Sequence, residues 1–130
     1  MIKDNLSNFI VALKNAGHAG KQSVLFPQSK LIVAVAEVLQ RAGFIKSSAK
    51  KSKKHGKFVE LDLLEKAGAP AIKGIKRISV RSKRIYLRAT DLRPVRNGFG
   101  VSIISTNQGL LTNKEARKQK LGGEILFEVW

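Results

Sequence analysis

Leu6, Phe9, Ile10 and Leu13 recur at the i, i+3, i+4, i+7 spacing that gathers apolar side chains on one helix face, and Gly17 and Gly20 mark its end. Ser23 to Phe26 is a short apolar run stopped by Pro27, which predicts a strand. Ser29 can cap a second helix, since its hydroxyl accepts from an orphan amide of a first helical turn. Leu31, Val35, Val38, Leu39 and Ala42 line one face of that helix, which Gly43 closes. Phe44 and Ile45 open another strand. Val59, Leu61 and Leu63 alternate with Glu60 and Asp62 at the period of two that a half-buried strand requires. The first half therefore reads helix, strand, helix, strand, strand.

Ala67-Gly68-Ala69-Pro70 breaks this pattern and is the expected linker between an N-terminal subdomain, 1–66, and a C-terminal one, 71–130. Beyond it the period is mostly two. Ile75 to Val80 and Ile85 to Arg88 flank a basic turn, Arg81-Ser82-Lys83, and Asp91 to Asn97 is expected to form one helical turn ended by Gly98. Val101 to Thr106 predicts a strand. Thr112-Asn113-Lys114-Glu115 is a capping box opening a short helix that Gly122-Gly123 ends, and Ile125, Phe127 and Val129 supply the inward face of a last strand. The expected fold class is α+β in two small subdomains, the second mainly β with short helices.

Charge changes the picture more than size does. Among 130 residues there are 25 Lys and Arg against 9 Asp and Glu, a formal charge of +16, while 43% of the chain is hydrophobic. That is too apolar for a disordered basic tail, so the expectation is a folded domain with a polyanionic partner. Residues 46–120 hold twenty of the basic groups, and the stretch Lys46 to Lys57 holds six lysines with no acid. This stretch reads as a solvated hairpin loop. The chain has no cysteine, which excludes disulfide scaffolds, thiolate metal sites and cysteine nucleophiles. No apolar run approaches the ~18 residues of a membrane span, and no secretory segment is visible, so the expected location is the cytoplasm, with no membrane partner.

Catalytic chemistry is poorly supported. His18 and His55 have no motif neighbours, and Glu60 with Asp62 is more simply a solvated strand face than a metal pair. Gly17 to Gln22 lacks the spacing of a phosphate-binding loop. Asn97-Gly98-Phe99-Gly100-Val101 lacks the basic first position and the later aromatics of an RNA-recognition sheet, so Phe99 is expected in the core. The basic helix from Lys114 is too short to read a DNA groove as a helix-turn-helix does. No catalytic residue, metal ligand or cofactor is assigned.

Nucleic-acid chemistry is well supported. Lys50, Lys51, Lys53 and Lys54 suit sequence-blind phosphate contact with counterion release. Six arginines, Arg77, Arg81, Arg84, Arg88, Arg93 and Arg96, surround the single tyrosine, Tyr86, and Arg84, Tyr86 and Arg88 are expected on one strand face suited to stacking. Ser105-Thr106-Asn107-Gln108-Gly109 is a hydroxyl- and amide-rich turn between apolar strands, able to donate to and accept from bases and 2′-hydroxyls.

The same residues carry a family resemblance. Ile104 to Thr112, then Glu115-Ala116-Arg117, Leu121-Gly-Gly-Glu-Ile125 and the terminal Val129-Trp130 resemble the bacterial-type family of small-subunit ribosomal protein eight. Asp4, Asn15-Ala16, Pro27 to Leu31, Gly43-Phe44-Ile45 and Arg84-Ile85-Tyr86 are similar to its opening and middle pattern. The resemblance implies a two-part α+β protein that binds the central domain of small-subunit ribosomal RNA early in assembly, beside neighbouring small-subunit proteins. It implies a monomer outside the ribosome and no turnover, and some members of the family also bind their own messenger RNA. Carried over by position, it implies RNA contacts at Ser105, Thr106, Asn107 and Gly109, at Tyr86 and Arg84, and at Gly122, Gly123 and Glu124. Lys14, Asn15 and Lys30 are implied to touch a second RNA segment. Glu124 would accept from a base amino group or hold a neighbouring loop. Departures from the pattern fall at Asn107 and Gln108, at Val11-Ala12 and at Arg81-Ser82. The classes set against this reading are a magnesium nuclease built on Glu60 and Asp62, and an architectural DNA binder.

Overall fold

The computed structural model describes residues 5–130; Asp4 lies outside them. The chain divides after Lys73 into two units. In the first, the apolar stripe of α1 (Asn5–His18) buries Leu6, Phe9, Ile10, Leu13 and Ala16. Strand β1 (Ser23–Pro27) comes next, and its Phe26 meets Phe9 edge-on at 5.2 Å between ring centroids. Ser29 caps α2 (Lys30–Arg41), accepting from the Ile32 amide at 3.1 Å. The buried stripe of α2 is Ile32, Val35, Ala36, Val38 and Leu39. Leu31, expected on that face, is 40% exposed. It stands one residue, about 100° of helical rotation, out of phase with Ile32. Gly43 ends the helix in a left-handed conformation, and the Phe44 amide donates back to the Leu39 carbonyl at 2.9 Å.

The lysine-rich stretch is not a loop. β2 (Ile45–Lys53) and β3 (Gly56–Leu63) pair antiparallel from Ile45↔Leu63 to Lys53↔Gly56, leaving only Lys54 and His55 to turn. Ladder hydrogen bonds need no apolar side chain, so the polar half of β2 remains strand while its lysines lie in solvent. With β1 the sheet order is β1-β3-β2, and β1 pairs only with Phe58–Asp62 of β3. The hairpin tip therefore extends past β1. Its outer edge is rich in lysine, a composition that discourages further strands from adding. Residues 67–70, expected as a linker, lie in a small hairpin of β4 (Glu65–Lys66) and β5 (Ala69–Pro70).

The second unit is built around its last strand, β10 (Gly123–Val129). One edge of β10 takes β6 (Ile75–Arg77) and then β7 (Tyr86–Leu87); the other takes β8 (Val101–Thr106), with β9 (Gly109–Thr112) beyond it. Segments 75–80 and 85–88, which the sequence places either side of one basic turn, do not form a simple hairpin. Both dock along β10, and the chain between them turns where Val80 and Lys83 exchange amide–carbonyl bonds of 3.1 and 3.0 Å. The fully buried Ser79 hydroxyl pins this excursion, accepting from the Ile85 amide at 2.9 Å and donating to its carbonyl at 3.2 Å.

A β-bulge at Leu126 shifts the register, so Ile125 faces Ile104 whereas Phe127 faces Ile103. Ile125 and Phe127, expected on one inward face, consequently point to opposite faces, and both are buried. Ile104 and Ile125 pack with Leu92, Leu111 and Ala116. The expected helical turn at 91–97 is two 3₁₀ turns, Ala89–Asp91 and Arg96–Gly98. Phe99, expected in the core, is 86% exposed. Val95 and Gly100 bridge to each other and are buried, which throws residues 96–99 outward.

Both arms of the capping box form. Glu115 N–H donates to the Thr112 hydroxyl at 3.1 Å, and the Glu115 carboxylate accepts from the Thr112 amide at 3.0 Å, at the start of α3 (Asn113–Gln119). The helix ends on Lys120 in the left-handed region, φ 59°, rather than on the glycine pair. Asn113 ties this corner down: its buried side chain accepts from the Ser102 amide and donates to the Arg93 carbonyl. Replacing Thr112 by Ala should lower unfolding stability by about 1 kcal/mol, read from the urea midpoint, the usual scale of a missing helix cap. An unchanged midpoint would mean that the hydroxyl contributes nothing there.

Candidate nucleic-acid interface

Antiparallel strands place directly opposed residues on the same face of a sheet. Glu124 opposes Tyr86 of β7 on one side and Ser105 of β8 on the other. Tyr86, Glu124 and Ser105 thus form a row across three strands, on the face away from the paired Ile104 and Ile125. Tyr86 is 66% exposed, so its ring offers a free π-face. Arg84 reaches the centre of the row through an ion pair, Nη1 to Glu124 Oε2 at 3.0 Å. The Glu124 side chain is only 15% exposed and the Arg84 side chain 48%. β7 is only two residues long, and Arg84, just before it, joins the Tyr86 face through the carboxylate of Glu124, which opposes Tyr86.

The glycine pair makes this row possible. A Cβ on Gly122 would stand 2.5 Å from the Leu87 carbonyl oxygen, and one on Gly123 would overlap that of Ser105 outright. Gly122-Gly123 therefore lets the backbone pass closely between β7 and β8, a task different from the helix stop that the sequence suggests.

At the other side of Ser105 the chain turns over Asn107 and Gln108. The Thr106 hydroxyl donates to the Gly109 carbonyl at 2.7 Å and accepts from the Gln108 amide at 3.1 Å. Its proton is committed within the turn, so Thr106 acts first as a brace. Gly109 completes the turn at φ +100°, a conformation strained for other residues. Asn107 and Gln108 are exposed. Tyr86, Arg84, Gly122, Gly123, Glu124 and Ser105 to Gly109 form one continuous patch at the β10 N-terminal end.

The other expected residues lie in the first unit. Lys30 opens α2 and shares an open groove with Gln28, Ser29, Glu37 and Lys50. An adjoining groove holds Lys50, Lys51, Ser52 and Lys57. Lys53 and Lys54 stand at the hairpin tip. Lys14 and Asn15, on α1, line neither groove. Asp62, half of the acidic pair weighed as a metal site, accepts from the Ser47 hydroxyl across the β2–β3 ladder at 2.9 Å.

Sequence reasoning misses the Arg84–Glu124 pair itself, which joins residues forty positions apart, and the brace inside the turn at Thr106. Of the two roles open for Glu124, holding a neighbouring segment is the one with a visible partner. Gly123→Ala should push β8 from β10 and destabilise the protein by about 1–3 kcal/mol, the range for an overpacked site, whereas Gly17→Ala should cost less, because Gly17 is helical and its Cβ would meet only Pro70 Cβ at an ordinary 3.5 Å. Thermal or urea unfolding of the two variants checks the order; equal losses would deny the close approach its role.

The family model for ribosomal protein S8 matches residues 4–130. The chain is 45% identical over 129 residues to a small ribosomal subunit protein uS8 from Erythrobacter litoralis, covering 98% of this chain and 97% of that one. It is 41% identical to the protein of that name from Zymomonas mobilis over 131 residues, with 99% and 98% covered. The Nocardia farcinica protein of the same name is also 41% identical, with 98% and 97% covered. A patch of one exposed ring, one ion-paired acid and a braced amide turn thus occurs in a chain that belongs to the ribosomal protein S8 family.

Proposed function

We propose that the protein is a structural constituent of the small ribosomal subunit that binds the central domain of its RNA and stabilises that fold during assembly. The observation that carries this reading is the row Tyr86–Glu124–Ser105, continued by the braced turn at Thr106–Gly109. A regular RNA duplex offers side chains little to read, because its deep groove is too narrow; irregular pairs and splayed bases offer edges and faces. The patch suits such an irregularity. Tyr86 takes a base face, the Ser105 hydroxyl and the Asn107 amide take sugar or base edges, and Glu124 accepts from an amino group. Arg84 neutralises that carboxylate, which lowers the electrostatic cost of bringing it against phosphates.

The lysines play a different part. Lys30, Lys50, Lys51, Lys53 and Lys54 line or tip an exposed hairpin and its grooves, where mobile cations displace counterions without reading sequence. Lys14 and Asn15 belong to this second contact by family analogy. Neighbouring small-subunit proteins complete its surroundings.

Filter binding of the full chain to naked small-subunit RNA, with duplex DNA as competitor at raised salt, tests the division of labour. Tyr86→Ala and Thr106→Ala should each cost roughly 1–3 kcal/mol of specific affinity, the scale of one missing base contact, with the threonine acting through turn geometry. Replacing Lys50, Lys51, Lys53 and Lys54 together by Gln should flatten the salt dependence by roughly 0.7–0.9 in log–log slope for each phosphate no longer neutralised, while leaving the preference for RNA. If the lysine set alone abolished the preference and the row variants bound normally, the assignment would be reversed.

A further inference from the structure

The second strongly exposed aromatic, Phe99, is unexplained by the patch at Tyr86. Val129 and Trp130 lie at the far end of β10 from Glu124, and Gly100 stands against them: a Cβ there would be 2.7 Å from the Val129 carbonyl oxygen. Five residues of strand separate Glu124 from Val129, about 17 Å, so Phe99 cannot serve the base held at Tyr86. Burying a phenylalanine is favourable, yet this one is 86% exposed.

The exposed ring is held out by an ordered loop. Arg96 and Asn97 have φ of 50° and 56°, values that cost non-glycine residues energy, and Gly98 continues the left-handed run. The Gly98 and Gly100 amides both donate to the Val95 carbonyl, at 3.0 and 3.1 Å, and the Phe99 amide donates to that of Arg96 at 3.1 Å. Lys114 Nζ donates to the Gly98 carbonyl at 3.2 Å, and the Arg96 guanidinium lies 4.0 Å from the Trp130 ring centroid. The backbone that carries Phe99 is therefore hydrogen-bonded in place without a partner.

Charge indicates the occupant. Segment 92–100 contains Arg93 and Arg96 and no acid, and α3, which is tied to the loop, adds Lys114, Arg117 and Lys118 with its one carboxylate, Glu115, engaged in the capping box. A preorganised ring in a field of cations suits a partner that is both anionic and flat-faced. We propose that Phe99 is a second stacking platform, taking an unpaired base from an RNA segment other than the one at Tyr86, with Asn97 beside it to meet the base edge. This rests on the RNA-binding reading above.

The test compares wild type, Phe99→Ala, Phe99→Tyr and Tyr86→Ala as full chains, by filter binding to naked small-subunit RNA and by ultraviolet crosslinking with mass spectrometry. Because Phe99 is exposed, its variants should fold, and the single Trp130 emission under its Arg96 lid reports that directly. Phe99→Ala should weaken binding roughly 5- to 100-fold, Phe99→Tyr should stay within about twofold of wild type, and a nucleotide should crosslink at residue 99. Normal RNA binding by Phe99→Ala without a crosslink at 99 overturns the inference, including the case in which the variant only fails to enter subunits, which would give Phe99 to a protein neighbour. If Tyr86→Ala weakens binding while Phe99→Ala does not, this inference alone fails. If both are silent, the reading on which it rests fails too.

Discussion

The second unit depends on how closely three backbones pass at the start of β10. Neighbouring strands lie about 4.8 Å apart, and β10 has one on each side from its first residue. With Leu87 opposite Gly123 and the Ser105 carbonyl oxygen occupying the place where a Cβ would stand, any side chain would force the strands apart. Two glycines remove that conflict at once. Only then can Tyr86, Glu124 and Ser105 stand abreast, and only then can Arg84 reach Glu124 at 3.0 Å. The bulge at Leu126 completes the arrangement. It reverses the phase of β10 so that Phe127 is buried on the face which, a few residues earlier, is open at Glu124. One strand thereby serves as surface at its beginning and as core in its middle.

Much of this is legible in the sequence because it is local. The apolar stripe of α1, the Ser29 cap and the Thr112–Glu115 box depend on residues three or four positions apart, and each is realised. The features that stay hidden depend on distant partners. Lys46 to Lys57 has no large apolar residue to signal a strand, yet the ladder with β3 makes most of it one. Leu31 and Ile32 are equally apolar, and only the direction of the packing decides between them. Phe99 reads as core by composition, whereas the Val95–Gly100 bridge turns it out. The patch residues themselves are identifiable through family resemblance; the residues alone point to an RNA surface without the brace, the ion pair or the reason for two glycines.

Charge is unevenly useful in this molecule. Lys50, Lys51 and Lys53 occupy an exposed stretch of the edge strand β2, where side chains are free to follow a phosphate backbone and where they also deter strand addition. Three arginines of the second unit are more constrained. Arg84 is matched with a carboxylate, Arg77 donates from Nε to the Ser79 carbonyl at 2.6 Å, and Arg96 covers an indole. Each holds a piece of backbone or a neighbouring group in place, so these guanidiniums keep their charge but are less free than the hairpin lysines to reorient onto a partner.

That asymmetry bears on selectivity. Affinity built from counterion release falls steeply with salt and does not distinguish one RNA from another. Contacts made by a ring, a hydroxyl, an amide and an internally neutralised acid involve little net charge, so their share of the binding energy should change little as salt rises. A protein relying on its lysines alone would be held by any RNA it met. Under the proposed function, raising the salt removes the common term from right and wrong partners alike and leaves the difference that the neutral row makes, which is the quantity that sets specificity. Under the proposed function, the patch at the head of β10 discriminates because the lysine cations lie elsewhere in the chain and its own arginine, Arg84, is engaged with Glu124.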